Sequence, residues 1–253
     1  MTRVLVTNDD GVGAPGIGPL ACALEADGID VVVAAPLDDM SGAGAAFGSF
    51  DGRDELVLEE HRIEGLETDQ AFGIKGAPGR CVMAATLGAF GEPVGLVVAG
   101  INPGVNTGRT VLHSGTVGAA LTAANLGGVG LAVSLAWSDT GEYHWETAAS
   151  IARRSLPWMR TLPAKTAINL NVPNLPLAEV LGVRQATLAP FGAVRSALIE
   201  DGPLRYTYAF QEVTETMPEG SDTALITQGY ASVTALSLPQ AIEPPPGMVE
   251  AFS

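Results

Sequence analysis

The hydrophobic pattern of this chain switches repeatedly between short unbroken apolar runs and segments with helical spacing. Arg3-Val4-Leu5-Val6-Thr7 is the first run, and it stops abruptly at polar residues. Ile17, Leu20, Ala21 and Leu24 then recur at the spacing of one helix face, from a start near Gly16 to a stop at Asp27-Gly28. Asp30 to Ala35 is nearly all Val and Ala, as in a strand covered on both faces, and Pro36 ends it. Residues 37–48 read as a Gly/Ala/Ser-rich loop, and the more polar residues 50–75 as a hairpin excursion. The alternation resumes with a helix over 79–87, a strand over 96–99, an Ala-rich helix ending at Ala124, a strand over 131–135, a helix over 143–162 and a strand over 167–172.

This order predicts an α/β fold, a doubly wound and mostly parallel sheet, whose strand order the pattern does not reveal. Past residue 175 the pattern changes. Residues 183–189 and 204–210 look extended, Ser221-Asp222 could cap a short helical turn, 230–236 reads as a late strand, and 239–247 as a Pro-rich irregular tail. We place a soft boundary there, between a core over 1–175 and a β-rich extension with an oligomerisation tail over 176–253. An extension this small does not build its own core and is suited to packing on a partner subunit.

Composition narrows the function. A formal charge of −15 over 253 residues argues against a nucleic-acid polymer as partner, since that requires a Lys/Arg footprint. A mononucleotide stays open, because a metal and backbone amides can hold its phosphate. Two cysteines, Cys22 and Cys81, are too few for a disulfide framework or a Cys-rich zinc site, and Cys22 falls on the apolar face of the first helix as a small core residue. No apolar run is long enough to span a bilayer and no leader pattern opens the chain, so a soluble cytoplasmic protein is expected.

The candidate chemistry lies in loops that follow strands. Asp9 and Asp10 stand side by side after the first strand, in a Gly/Pro-rich turn. Adjacent carboxylates repel, and they make most sense beside a cation. Three further loops carry Asp38-Asp39-Met40-Ser41-Gly42, Asn102 with Asn106, and Ser114-Gly115-Thr116. All should meet on the edge where parallel strands end. Two Asp carboxylates, a Ser hydroxyl and an Asn carbonyl make an all-oxygen shell suited to Mg²⁺ or Mn²⁺. Ser114-Gly115-Thr116 at a helix start would offer amides and hydroxyls to a phosphate. Plainer readings stand beside these: Asp9 or Asp10 as a helix cap, the Asn residues as turn formers, Ser114 or Thr116 as an N-cap, and His113 as a packing residue rather than a general acid/base.

Taken together, the loops resemble the SurE (survival protein E) family of metal-dependent nucleotidases. The resemblance is carried by Val4-Leu5-Val6-Thr7-Asn8-Asp9-Asp10-Gly11 with Ala14-Pro15-Gly16-Ile17, by Ala35-Pro36 with Ser41-Gly42, and by Gly100-Ile101-Asn102 with Gly104-Val105-Asn106 and Gly108. It continues in Ser114-Gly115-Thr116-Val117, in Asp222-Thr223-Ala224-Leu225 and in Gly229-Tyr230-Ala231-Ser232-Val233-Thr234. It implies a Rossmann-like core and hydrolysis of nucleoside 5′- or 3′-monophosphates with Mg²⁺ or Mn²⁺. It also implies a metal held by Asp9, Asp10, Ser41 and Asn102, and a homodimer or homotetramer that exchanges its C-terminal extension. On that reading catalysis is expected of Asp9 and Asp10, and phosphate binding of Asn102, Asn106, Ser114, Gly115 and Thr116. The chain departs from the family pattern at Arg80, where an acid is usual, at Ala99 in place of Ser, at His113 in place of an aromatic, and in the Arg109-Thr110 region, which lacks the usual acid. Arg80 could add a phosphate contact or lie on the surface.

Other readings rank lower. A haloacid-dehalogenase-like phosphatase needs an aspartyl nucleophile where Asn8 stands. A dinucleotide-binding oxidoreductase needs a Gly-x-Gly-x-x-Gly turn where two acids stand. A phosphatase of a specialised non-nucleotide ester, or a non-catalytic nucleotide- or metal-binding regulator, would share the same fold.

Overall fold

The computed structural model describes residues 3–48, 55–191, 194–212, 216–241, 243 and 246. The first residues of the expected hairpin excursion and part of the expected Pro-rich tail lie outside these. The elements run β1 (Val4–Thr7), α1 (Ile17–Glu25), β2 (Val31–Pro36), β3 (Leu58–Glu60), β4 (Ala71–Ile74), α2 (Pro78–Thr86), β5 (Leu96–Pro103), a 3-10 turn (Gly108–Leu112), α3 (Gly115–Asn125), β6 (Val129–Leu135), α4 (Trp145–Met159), β7 (Thr166–Val172), β8 (Val183–Gln185), β9 (Val194–Gly202), β10 (Arg205–Glu212), α5 (Asp222–Thr227) and β11 (Ala231–Leu236).

One sheet takes the order β3-β4-β2-β1-β5-β6-β7-β11-β8. Its centre, from β4 to β7, is parallel, and β3 and β11 pair antiparallel with β4 and β7. The α/β fold and the mostly parallel sheet are as expected. β8 and β11 come from beyond residue 175 yet extend this sheet, whereas β9 and β10 form a separate antiparallel ribbon. From β1 the chain winds outward through β2 and β4, then returns to β1's other side as β5. The crevice between β1 and β5 is therefore a topological switch point, where open α/β sheets bind ligands.

Side-chain alternation sorts the core into two layers. Val4 and Val6 face α1 and α4 with Leu131, Leu135, Ile168 and Leu170, while Leu5, Val32 and Val97 face α2 and α3. On β6, β7 and β11 the buried side chains of the face toward α1 and α4 are apolar. Their other face carries Ser134, Asn169, Asn171, Ser232 and Thr234, all buried. A buried polar face of this kind persists only if something satisfies it.

Close backbone approach fixes how the helices sit. A Cβ on Gly130 would lie 2.2 Å from the Ala120 carbonyl oxygen of α3, and one on Gly118 2.2 Å from the Gly44 carbonyl oxygen. Gly130→Ala should therefore destabilise the fold by about 1–3 kcal/mol through overpacking. Urea unfolding measures this, and an unchanged midpoint would mean that α3 has room to shift.

Three expectations shift. β5 extends past residue 99, because its pairing with β6 is interrupted after Ala99 and resumes at Asn102 opposite Ser134. The helix expected over 143–162 is shorter at both ends. Cys22 is not a core residue: it is half-buried, with its Sγ 3.7 Å from the Glu64 carbonyl oxygen, and Cys81 is the cysteine in the core. Burial pushes the Cys81 thiol up to about 12, so it is inert.

Candidate active site

β1 delivers its polar end to the switch point. The alternation that turns Leu5 toward α2 and α3 carries Asp9 to the side where α3 begins. There the Gly115 N–H donates to Asp9 Oδ2 at 3.0 Å, and the Thr116 hydroxyl donates to Asp9 Oδ1. Ser114 caps the same helix, its Oγ accepting from the Val117 N–H at 3.1 Å. Asp9 thus rests on the positive end of an eleven-residue helix. Asn8 holds the turn that follows by exchanging bonds with the Gly11 backbone, at 2.8 and 3.2 Å.

The other loops attach to this frame. The Met40 N–H donates to the Asp9 carbonyl oxygen at 2.7 Å, and the Gly44 N–H to the His113 carbonyl oxygen at 3.1 Å. This places Ser41 one residue from a direct contact with Asp9. Ser41 itself is exposed and donates to Asp39 Oδ1 at 2.6 Å, which with its backbone N–H holds the Asp39 carboxyl below the usual range. On the β5 side, the Ile101 N–H donates to the Gly16 carbonyl oxygen at 3.3 Å, tying β5 to the end of the Asp9-Asp10 loop. Asn102 donates Nδ2 to the Gly104 carbonyl oxygen at 2.7 Å, which sets the orientation of its amide.

Electrostatically the site is short of positive charge. Burial raises the Asp9 pKa, against the lowering effect of its Thr116 and Gly115 bonds. Burial, then the charges of Asp9 and Asp39, push Asp10 up to about 7. Asp10 Oδ2 is buried without a hydrogen-bond partner. An unpartnered carboxylate oxygen beside a second buried carboxylate suits a cation. No group of three or more His, Cys, Asp and Glu placed to hold a metal occurs among the described residues. A metal here would therefore rest on two carboxylates and neutral oxygens, a donor set that favours Mg²⁺ or Mn²⁺ over softer ions.

The structure thus brings Asp9, Asp10, Gly115 and Thr116 together and anchors the loops of Ser41 and Asn102 beside them. Gly115 and Thr116 spend donors on Asp9. Asn106 lies further along the edge, its Nδ2 donating to Ser134 Oγ at 2.8 Å. His113 is exposed and enters through its backbone alone. Arg80 lies on α2 and donates to the Glu55 carbonyl oxygen at 3.1 Å, a contact on the side of the surface hairpin.

Sequence reasoning missed one buried pair and the long-range role of a third residue. Asn169 and Asn171 on β7 bond the Asn106 backbone. Asp222, fully buried, accepts from the backbone N–H groups of Gly108, Ala189 and Thr223 at 2.8, 2.9 and 2.8 Å. A signal for the first pair was present, since two asparagines alternate within the otherwise apolar run Ala167 to Val172.

Comparison with known proteins identifies the family. The chain is similar to the 5′-nucleotidase SurE of Aeromonas hydrophila, 37% identical over 243 residues that cover 93% of this chain and 92% of the relative. It is 35% identical to the 5′/3′-nucleotidase SurE of Yersinia pestis over 244 residues, covering 94% and 91% of the two chains. The crystal structure of the SurE protein from Aquifex aeolicus superposes with a TM-score of 0.79 at 27% identity, covering 94% of each chain. The family described as survival protein SurE matches residues 4–192, a span that holds every element of the carboxylate site, and the chain belongs to that family.

Proposed function

We propose that this protein is a metal-dependent phosphomonoesterase that hydrolyses nucleoside 5′- and 3′-monophosphates to nucleoside and phosphate. The observation that carries the reading is the pair of buried Asp9 and half-buried Asp10 at the switch point, with an unpartnered oxygen and the N-terminus of α3 beside it. Membership of the family and the nucleotidase names of the relatives support it.

Asp9, Asp10, Ser41 and Asn102 would hold Mg²⁺ or Mn²⁺, with Ser41 turning from Asp39 to do so. The metal would supply Lewis-acid chemistry and charge neutralisation for a phosphoryl group. The chain's own part is positional. Gly115 and Thr116 hold Asp9 in one orientation. Asp10, with an oxygen that no protein group engages, can orient an attacking water. Ser114, whose Oγ accepts from Val117, keeps its own proton to donate to a phosphate oxygen. The α3 dipole favours the anionic ester and its product. Asn106 and the loop it belongs to face the phosphate from the β5 side.

Phosphate release from a panel of 5′- and 3′-nucleotides, sugar phosphates and an aryl phosphate tests this, with Mg²⁺, Mn²⁺ or EDTA. Metal-dependent release from nucleotides is expected, abolished by EDTA. Metal binding without release from any ester of the panel would point to a specialised substrate or to the regulator reading.

A pH dependence follows from the two raised carboxyls. Between about pH 4 and 7 the unfolded chain has released protons that the metal-free folded protein still holds. Stability of the metal-free protein therefore falls as pH rises through that window and levels off above it. A cation must displace those protons, so the rise in Tm on adding Mn²⁺ should be larger at pH 8 than at pH 6. Equal rises at both would count against metal binding at this pair.

The assembly belongs to the same proposal. Leu198, Ile199, Tyr206 and Tyr208 of the β9–β10 ribbon are each more than half exposed, which favours burial against a second copy as a homodimer or homotetramer. Light scattering should give two or four subunits, and a monomer would remove this part of the reading.

A further inference from the structure

We propose that Asn169 and Asn171 are positioning residues for phosphate recognition: from β7 they hold the backbone of Asn106, and with it the turn from Val105 to Gly108, in the orientation that a phosphate meets. The inference rests on the nucleotidase reading and deepens it, since neither residue belongs to the carboxylate site.

Asn171 engages both backbone groups of Asn106. The Asn106 N–H donates to Asn171 Oδ1 at 2.7 Å, and Asn171 Nδ2 donates to the Asn106 carbonyl oxygen at 3.1 Å. One side-chain amide thus pairs with one residue of main chain as a neighbouring strand would. Asn169 Nδ2 donates to the same carbonyl oxygen at 2.8 Å. The side chain of Asn106 bonds Ser134 on β6. Residue 106 is therefore fixed through its N–H, its carbonyl and its own amide by three fully buried side chains on two strands.

Energetics say that these asparagines are not present for stability. Asn is disfavoured in strands, and a buried primary amide costs free energy unless it is bonded. Apolar residues at 169 and 171 would continue the core at no such cost. Only the loop recovers that cost, so what the pair specifies is where the loop sits. Asn169 Oδ1 is buried without a partner, so Asn169 acts on the loop as a donor alone.

That asymmetry gives a nearly isosteric test. Asn169→Asp puts a carboxylate oxygen where a donor met the Asn106 carbonyl, and Asn171→Asp does the same while keeping the acceptor for the N–H. Each should raise KM for AMP and the inhibition constant of inorganic phosphate about ten-fold, the effect of setting a buried acceptor against a carbonyl. The Kd of Mn²⁺ by calorimetry should stay within about two-fold, because Asp9 is framed by α3 and Asn102 is fixed separately, by pairing opposite Ser134 and by its bond to the Gly104 carbonyl oxygen; general loosening of the fold would weaken metal and phosphate together. Active wild type with unchanged phosphate inhibition in both folded variants would overturn this inference alone. Wild type that neither binds nor releases phosphate would overturn the nucleotidase reading as well. Should the acidic variants not fold, amide exchange of Asn106 in the wild type decides: protection close to that of β7 supports the hold, and exchange at a free-loop rate overturns it.

Discussion

Gly115→Ala is expected to lower kcat/KM for nucleotide hydrolysis by about 100-fold or more, the penalty for moving a reacting group by an ångström. On propensity alone the substitution should help, because alanine is the better helix former. The loss comes from space. A Cβ on Gly115 would lie 2.6 Å from Asp9 Cβ and 2.7 Å from Asp9 Oδ2. Either Asp9 or the first turn of α3 must move, and each move breaks the Gly115 bond that orients the carboxylate. Mn²⁺ affinity should fall about ten-fold or more, as when a group orienting a metal ligand is lost. Calorimetry and phosphate release together measure this, and activity within three-fold of wild type would mean that Asp9 needs no such seat.

Asp10→Asn should act in opposite directions on activity and stability. Hydrolysis is expected to fall on the order of 1,000-fold, since the substitution removes a charged ligand from a site whose metal contributes several kcal/mol. In EDTA, however, the variant should melt higher than the wild type. The wild-type carboxyl is pushed up to about 7 by burial and by Asp9 and Asp39, and its Oδ2 has no partner. A neutral amide removes that cost. A gain of about 1 kcal/mol would appear as a rise of roughly 2–4 °C in a chain of this size. A variant that is inactive and also less stable in EDTA would show that Asp10 serves the fold and is not tolerated for the metal's sake.

The legible parts of this molecule were those governed by local chemistry. β1, α1 and β2 could be read from their apolar runs, and the Asp9-Asp10 loop from two like charges at a strand end. The sheet order could not, because parallel strands pair across long connections and nothing in β1 names β5 as its neighbour. The commitment of Gly115 and Thr116 to Asp9 escaped for the same reason: the contact spans more than a hundred residues. Asn169 and Asn171 look like strand interruptions until their partner loop is seen, and Asp222 looks like a helix cap, although it also holds the Gly108 turn.

That last carboxylate bears on how the protein is made. Asp222 is separated from Gly108 by 114 positions, and it also grips Ala189. A ribosome that has completed β7 has already released every carboxylate and hydroxyl of the proposed metal shell, yet the turn leading into α3 still lacks its fastener. Maturation of the catalytic edge therefore waits for α5, which follows β8, β9 and β10 in the chain.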